Sequence, residues 1–131
     1  MPAVAAMTLC APVPAHHSPA SLYPLDRTIA VEGVVTDYQF VNPLARIFLR
    51  VDGGDGFAVD WLAEGGTLNI LIRQGWSGDE VQPGDRVPIE GNPARDGSNL
   101  IYWVTILMPD GRELFGEDIN YDAIDRRRRR D

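Results

Sequence analysis

From residue 28 onward, apolar and polar residues alternate with a period of two, the spacing of strands that bury one face and wet the other. The alternation is clearest over residues 45–52, where Ala45, Ile47, Leu49 and Val51 interleave with Arg46, Phe48, Arg50 and Asp52. A strand is predicted there, its aliphatic side chains in the core and Arg46, Phe48 and Arg50 together on the outer face. Residues 28–40, rich in Ile, Val, Thr and aromatics, predict a preceding strand, with Gly33 marking a bulge or a sharp coil. Asn42-Pro43 ends it, because proline cannot donate to a ladder and restricts the residue before it. The turn Asp52-Gly53-Gly54-Asp55-Gly56 has the composition of a hairpin connection, after which Phe57, Val59 and Trp61 continue on one face of a third strand.

The period then changes. Thr67 is placed to cap a short helix in which Leu68, Leu71 and Ile72 recur at the i, i+3, i+4 spacing, and Gly75 stands where a helix ends. Two turns of helix need tertiary packing, which the open end of a barrel would supply. Pro83-Gly84-Asp85 precedes a fourth strand over residues 86–91, and Arg95-Asp96-Gly97-Ser98-Asn99 is a second hairpin-like turn. Residues 100–108 form an apolar fifth strand, with Tyr102, Val104 and Ile106 on one face and Ile101, Trp103 and Leu107 on the other. Three strands, a short helix and two more strands is the order of an OB-fold, so the expected class is all-β, a small OB-fold-like barrel of five strands with one helix between strands 3 and 4. Composition alone would equally permit a small sandwich. The barrel is expected over residues 28–115, after a connector at 16–27 and before a disordered tail at 116–131.

At 131 residues, 44% apolar and 24% charged, the chain is sized for one folded domain. The net charge of −7 conceals an asymmetry, because no lysine occurs and five of the twelve basic residues are the run Arg126 to Arg130. Residues 1–125 carry seven arginines against eighteen carboxylates, a net −11. Such a body repels phosphate backbones and anionic lipid. No apolar run reaches the eighteen or so residues of a membrane span.

Residues 1–15 are uncharged, rich in alanine and valine, and close on Val13-Pro14-Ala15, with small residues at the two positions an export peptidase reads. This resembles the end of a signal peptide, although a basic n-region is lacking and Pro12 and Pro14 interrupt the apolar core. Export to the periplasm or medium is the expectation, and an apolar leader on a cytosolic protein is the competing reading. Cys10, the one cysteine, lies inside this leader, leaving the mature domain without thiol, disulfide or zinc-thiolate chemistry. Leu9 before it departs from a lipoprotein signal, which wants a small residue there.

Several short motifs stand in a fixed order: Ala15-His16-His17-Ser18, Val41-Asn42-Pro43, Arg73-Gln74-Gly75-Trp76, Ala94-Arg95-Asp96-Gly97-Ser98-Asn99, and Leu107-Met108-Pro109-Asp110-Gly111-Arg112 with Leu114-Phe115. Over roughly residues 15–115 the chain resembles a family of small exported bacterial proteins of unknown function. The resemblance implies export and a compact β-domain, and transfers no activity and no catalytic residue. That family usually has a histidine soon after the Asn-Pro turn. Here Leu44 and Ala45 occupy the region, which puts in doubt any metal site that relies on that histidine.

Cleavage after Ala15 would make His16 the mature N-terminus, where its amine and ring nitrogen chelate one copper ion and His17 adds a third nitrogen. With only two histidines in the chain, a connector that binds nothing is the competing reading. Nucleophilic catalysis lacks a base within reach of Ser or Thr, since both histidines are in the connector. The pairs Asp60/Glu64 and Asp79/Glu80 read as solvated surface, and Asp52 to Gly56 as a plain hairpin without the calcium-loop pattern. Arg46, Phe48 and Arg50 mark the face on which OB-folds bind oligonucleotides, but the acidic body opposes nucleic acid. Phe48 could equally pack against the connector or the tail. Of the tryptophans, Trp61 and Trp103 read as core or rim packing, and Trp76, just past the helix, is the candidate for a partly exposed ring. The arginine run reads as solvated tail, with docking on an acidic partner as the minority alternative. The expectation is a non-enzymatic binding or accessory module of the bacterial envelope that holds a partner protein or small ligand through Arg46, Phe48, Arg50 and Trp76. The alternative is periplasmic copper handling by His16 and His17.

Overall fold

A computed structural model describes residues 22–24 and 26–116. The leader, His16, His17 and the arginine run lie outside them. Strand β1 (Ile29–Gln39) is long enough to serve two neighbours. Its first half pairs antiparallel with β4 (Arg86–Pro93) and its second with β2 (Arg46–Asp52). β2 and β3 (Ala58–Glu64) form the expected hairpin, in unbroken register from Arg46 opposite Glu64 to Asp52 opposite Ala58. β4 pairs antiparallel with β5 (Leu100–Leu107). Three parallel pairs, Leu62 with Leu100, Ala63 with Ile101 and Glu64 with Tyr102, join β3 to β5 and close the ring. The order β1-β2-β3-β5-β4 is that of a five-stranded OB barrel. A sixth strand absent from the expectation, β6 (Glu113–Phe115), pairs with β5 at Thr105 to Leu107.

The alternation of β2 is realised, with Ile47 and Leu49 buried and Arg46, Phe48 and Arg50 outward. Two strands change phase. In β1 the bulge falls at Thr36, between the pairs Val35–Leu49 and Asp37–Phe48, and not at Gly33. In β5 the extra residue is Val104, because Gly91 faces Trp103 while Glu90 faces Thr105. One inserted residue turns the following side chains to the opposite face. Ile101, Trp103 and Ile106 therefore share the core, in place of the face expected for Tyr102, Val104 and Ile106. Phe57, expected to continue the face of Val59 and Trp61, precedes β3 at the hairpin tip and is 74% exposed.

Helix α1 (Leu68–Arg73) lies between β3 and β4 as expected, but its packing differs in detail. Only Leu71 is buried, and Ile72, expected on the core stripe, is 55% exposed. Thr67 occupies the N-cap position without a side-chain bond, and the Leu68 N–H donates instead to Asn42 Oδ1 at 3.2 Å. Gly75 ends the helix in the left-handed region, φ +97°. The Trp76 N–H returns to the Leu71 carbonyl at 3.0 Å and the Gly75 N–H to the Ile72 carbonyl at 3.1 Å. This pair of bonds is a Schellman motif, which brings the residue after the glycine back against the third-last residue of the helix.

That geometry corrects the expected exposure of Trp76. It is 2% exposed, its ring 5.3 Å from that of Trp103 at an interplanar angle of 32°, and its Nε1 donates to the Phe115 carbonyl at 2.7 Å. Trp103 is flanked in turn by two glycines. A Cβ on Gly65 would stand 2.0 Å from Trp103 Cζ2, and one on Gly116 would stand 2.3 Å from the Trp103 carbonyl oxygen. Gly65→Ala therefore forces a buried indole to move. Overpacking of this kind costs about 1–3 kcal/mol, so the urea midpoint should fall markedly, and an unshifted midpoint would show that the ring is not held there.

Candidate functional site

The outward side chains of β1, β2 and β3 lie in rows fixed by register: Gln39, Arg46 and Glu64; Asp37, Phe48 and Leu62; Val34, Arg50 and Asp60. The β1 bulge sets Thr36 and Asp37 side by side at the rim. Thr36, Asp37, Phe48, Arg50 and Asp60 line a shallow groove of about 310 Å³. Thr36 Oγ1 donates to the Phe48 carbonyl at 3.3 Å. Asp37 accepts from the Tyr38 N–H at 2.9 Å and from Gln39 Nε2 at 3.1 Å. Arg50 Nε and Asp60 Oδ1 are 3.5 Å apart, both largely exposed, a pair of small energetic worth. Phe48 is half-buried between these polar groups. The groove thus places an aromatic ring beside hydrogen-bond donors and acceptors.

Of the expected face, the structure brings Arg46, Phe48 and Arg50 onto one side of β2. Trp76 lies in the core and is no part of it. Arg46 Nε is buried and has no hydrogen-bond partner among the described residues. Its cross-strand neighbour Glu64 is engaged elsewhere, accepting from the Tyr23 hydroxyl at 2.7 Å.

Tyr23 is a feature that the pattern of the sequence did not mark. It is 1% exposed, 5.5 Å from the ring of Tyr102, in a second small cluster with Ala94 and Leu100. Burial, and then the Glu64 carboxylate, push its phenol well above the ordinary value. The Arg95 N–H donates to the Leu22 carbonyl at 2.9 Å, and Asn92 Nδ2 to the Arg27 carbonyl at 2.7 Å. The end of the connector is thereby fastened across β4, β5 and the edge of β3. The available signal was the lone aromatic residue in a polar stretch opposite an apolar strand with two faces to cover.

The pair Asp79/Glu80, read as solvated surface, is half structural. Burial pushes the Glu80 carboxyl up, but N–H donors from Ser77, its own backbone and Gly78, with the Ser77 hydroxyl, outweigh this and hold it below the ordinary value. Glu80 Oε2 accepts from both the Gly78 N–H at 3.0 Å and the Tyr38 hydroxyl at 3.2 Å. Among the described residues no group of three His, Cys, Asp or Glu side chains converges as a metal site. No helix among them is long and apolar enough to cross a membrane. His16 and His17 lie outside the described residues.

The sequence profile of a family of unknown function, DUF6152, matches residues 4–101. The chain belongs to this family. DUF6152 membership takes in the segment before Leu22, the whole of β1 to β4 and the helix, and ends at the second residue of β5. β6 and the arginine run fall beyond the match. No curated protein matches the chain.

A carboxylate whose folded-state acidity is strengthened contributes stability that is complete above its unfolded value and is lost as pH falls through the lower folded value. Glu80, depressed from 4.5, should therefore steepen acid unfolding in the range below about pH 4.5. Glu80→Gln is expected to lower stability at neutral pH and to flatten that acid limb, measured as urea midpoints from pH 3 to pH 7. An acid limb as steep as that of the parent protein would assign the slope to other carboxylates.

Proposed function

We propose that this chain is a non-enzymatic binding module of the bacterial envelope, which holds a partner protein or small ligand on the outer face of β1, β2 and β3. The observation that supports it most is the placement of Phe48. A large ring that is only partly buried costs free energy unless something covers the rest of it, and here it sits between polar groups that can orient a ligand. Aromatic and arginine side chains together in a concave patch are the residue types that carry most binding energy at interfaces. The acidic body favours neutral or basic ligands over polyanions. The uncharged leader ending on Val13-Pro14-Ala15 supports an address outside the cytoplasm.

The test is comparative capture from a periplasmic extract with the parent protein, Phe48→Ala and Arg50→Glu. A species retained by the parent and depleted at least tenfold by both variants is the expected result. Equal retention by all three proteins would remove this face from the function. Arg50 is exposed, so the thermal midpoint of Arg50→Glu should stay close to that of the parent, and circular dichroism at the capture temperature checks that Phe48→Ala, which removes a partly buried ring, remains folded.

A further inference from the structure

The hairpin of β2 and β3 is longer than the seam that closes the barrel. β5 covers only Leu62, Ala63 and Glu64 of β3, so Ala58 to Trp61 have β2 as their one strand neighbour among the described residues. Two bonds fix the direction of their backbone groups. The Gly53 N–H donates to the Phe57 carbonyl at 2.9 Å, so Phe57 faces the β2 side, and the Leu62 N–H donates to the Asn99 carbonyl at 3.1 Å, so Leu62 faces away from it. In an antiparallel pair successive residues point their N–H and C=O groups to alternate sides. Ala58 and Asp60 therefore share the direction of Leu62, and both are exposed. Their N–H and C=O groups form a short open edge, the arrangement to which an extended chain adds as a further strand.

The side chains around this edge select what can be added. Residues 50–60 contain three carboxylates, Asp52, Asp55 and Asp60, and one basic group, Arg50. Asp52 stands opposite Ala58 in the ladder and Asp60 opposite Arg50, so each row of the open edge holds a carboxylate. Asp60 is at the same time the β3 wall of the Phe48 groove. Its side chain is 82% exposed and lies 3.5 Å from Arg50, too far for a firm hydrogen bond, so it keeps acceptor capacity for a second cation. The other face of the edge carries half-buried Val59, with Phe57 exposed at the tip. A second copy of this hairpin would bring the same three carboxylates against these, which opposes self-pairing. A strand bearing arginine or lysine meets them with opposite charge.

We propose that the partner is an extended basic peptide segment that adds to the open edge of β3. Its alternate arginine or lysine side chains lie against Asp60 and reach toward the Phe48 ring, and the intervening apolar side chains lie beside Val59. This deepens the function proposed above by naming the partner's class, and its groove contacts rest on that reading. Main-chain bonds to Ala58 and Asp60 hold such a segment whatever its sequence, while the carboxylates and the ring select basic side chains. An edge of two residues offers few backbone bonds, so charge carries part of the affinity, which falls as salt rises.

Fluorescence anisotropy with the full chain tests it. The probe is a short labelled peptide of alternating valine and arginine, compared with the same peptide carrying neutral citrulline in place of arginine. The arginine peptide is expected to bind at least tenfold tighter, and Asp60→Asn to weaken it at least fivefold. Asp110→Asn removes an equal charge from the exposed turn between β5 and β6 and is expected to change affinity less than twofold. N-methyl groups on one alternate set of peptide residues should abolish binding while those on the other set are tolerated, since only one set turns its N–H groups to the edge. No measurable binding, equal affinity for the two peptides, equal effects of the two carboxylate substitutions, or an equal response to both methylated sets overturns the proposal. If a captured periplasmic partner depends on Phe48 and Arg50 while the peptide results fail, the binding face stands and the basic-strand reading falls. If the peptide results hold and no partner depends on Phe48 and Arg50, strand addition at β3 stands and the groove reading falls.

Discussion

An indole that fits between two glycines holds this barrel together. Trp103 fills the end of the core with one edge against Gly65, which follows β3, and with Gly116, which follows β6, on its other side. Its face meets Trp76, which the helix delivers through the bonds that end at Gly75. Trp76 then reaches the Phe115 carbonyl and so fastens β6. Four parts of the chain thus depend on one ring and on the absence of side chains beside it. A paired aromatic contact of this kind adds about 0.5–1.5 kcal/mol beyond the burial of its area. Its larger effect is to fix the positions of elements too short to fix themselves, since α1 has six residues and β6 three.

The outer face owes its shape to register more than to any single contact. Because β2 pairs without interruption with β3, and β1 carries its extra residue at Thr36, Phe48 is set beside a rim of polar groups. At the other end of the same face, Glu64 gives up its cross-strand arginine to hold the Tyr23 hydroxyl. Among the described residues Arg46 Nε is buried without an acceptor, while the bond to Glu64 helps fix Tyr23. The polar chemistry around Glu80 serves the loop after the helix, where a carboxylate gathers N–H groups that a tight turn leaves pointing together.

Strand order and the outward row Arg46, Phe48 and Arg50 were legible because alternation in β2 is strict and its neighbours are marked by Gly, Asp and Pro. Phase changes were not, since a bulge at Thr36 or Val104 costs no unusual residue and follows from how a strand bends between two partners. Trp76 was misread for a related reason: Gly75 announced the end of the helix, yet the same glycine turns the next residue inward, and only the full Schellman geometry says so. Tyr23 and β6 both cover a strand that is apolar on two faces. The composition of β5 signalled that cover was needed, while the identity of the cover is a long-range fact that local pattern does not carry.

The parallel seam between β3 and β5 has a consequence for how the molecule reaches its shape. The two hairpins form from neighbouring stretches of chain, but Leu62 meets Leu100 only after the helix, its following loop and β4 have been gathered in. Bringing such distant segments together costs chain entropy before any contact offsets it. Three residue pairs offer little to offset that cost unless the tryptophan pair and the helix pack at the same time. Ring closure and end-capping are therefore one cooperative event, and a chain halted before it would expose the free flank of β3 and two unpaired indoles together.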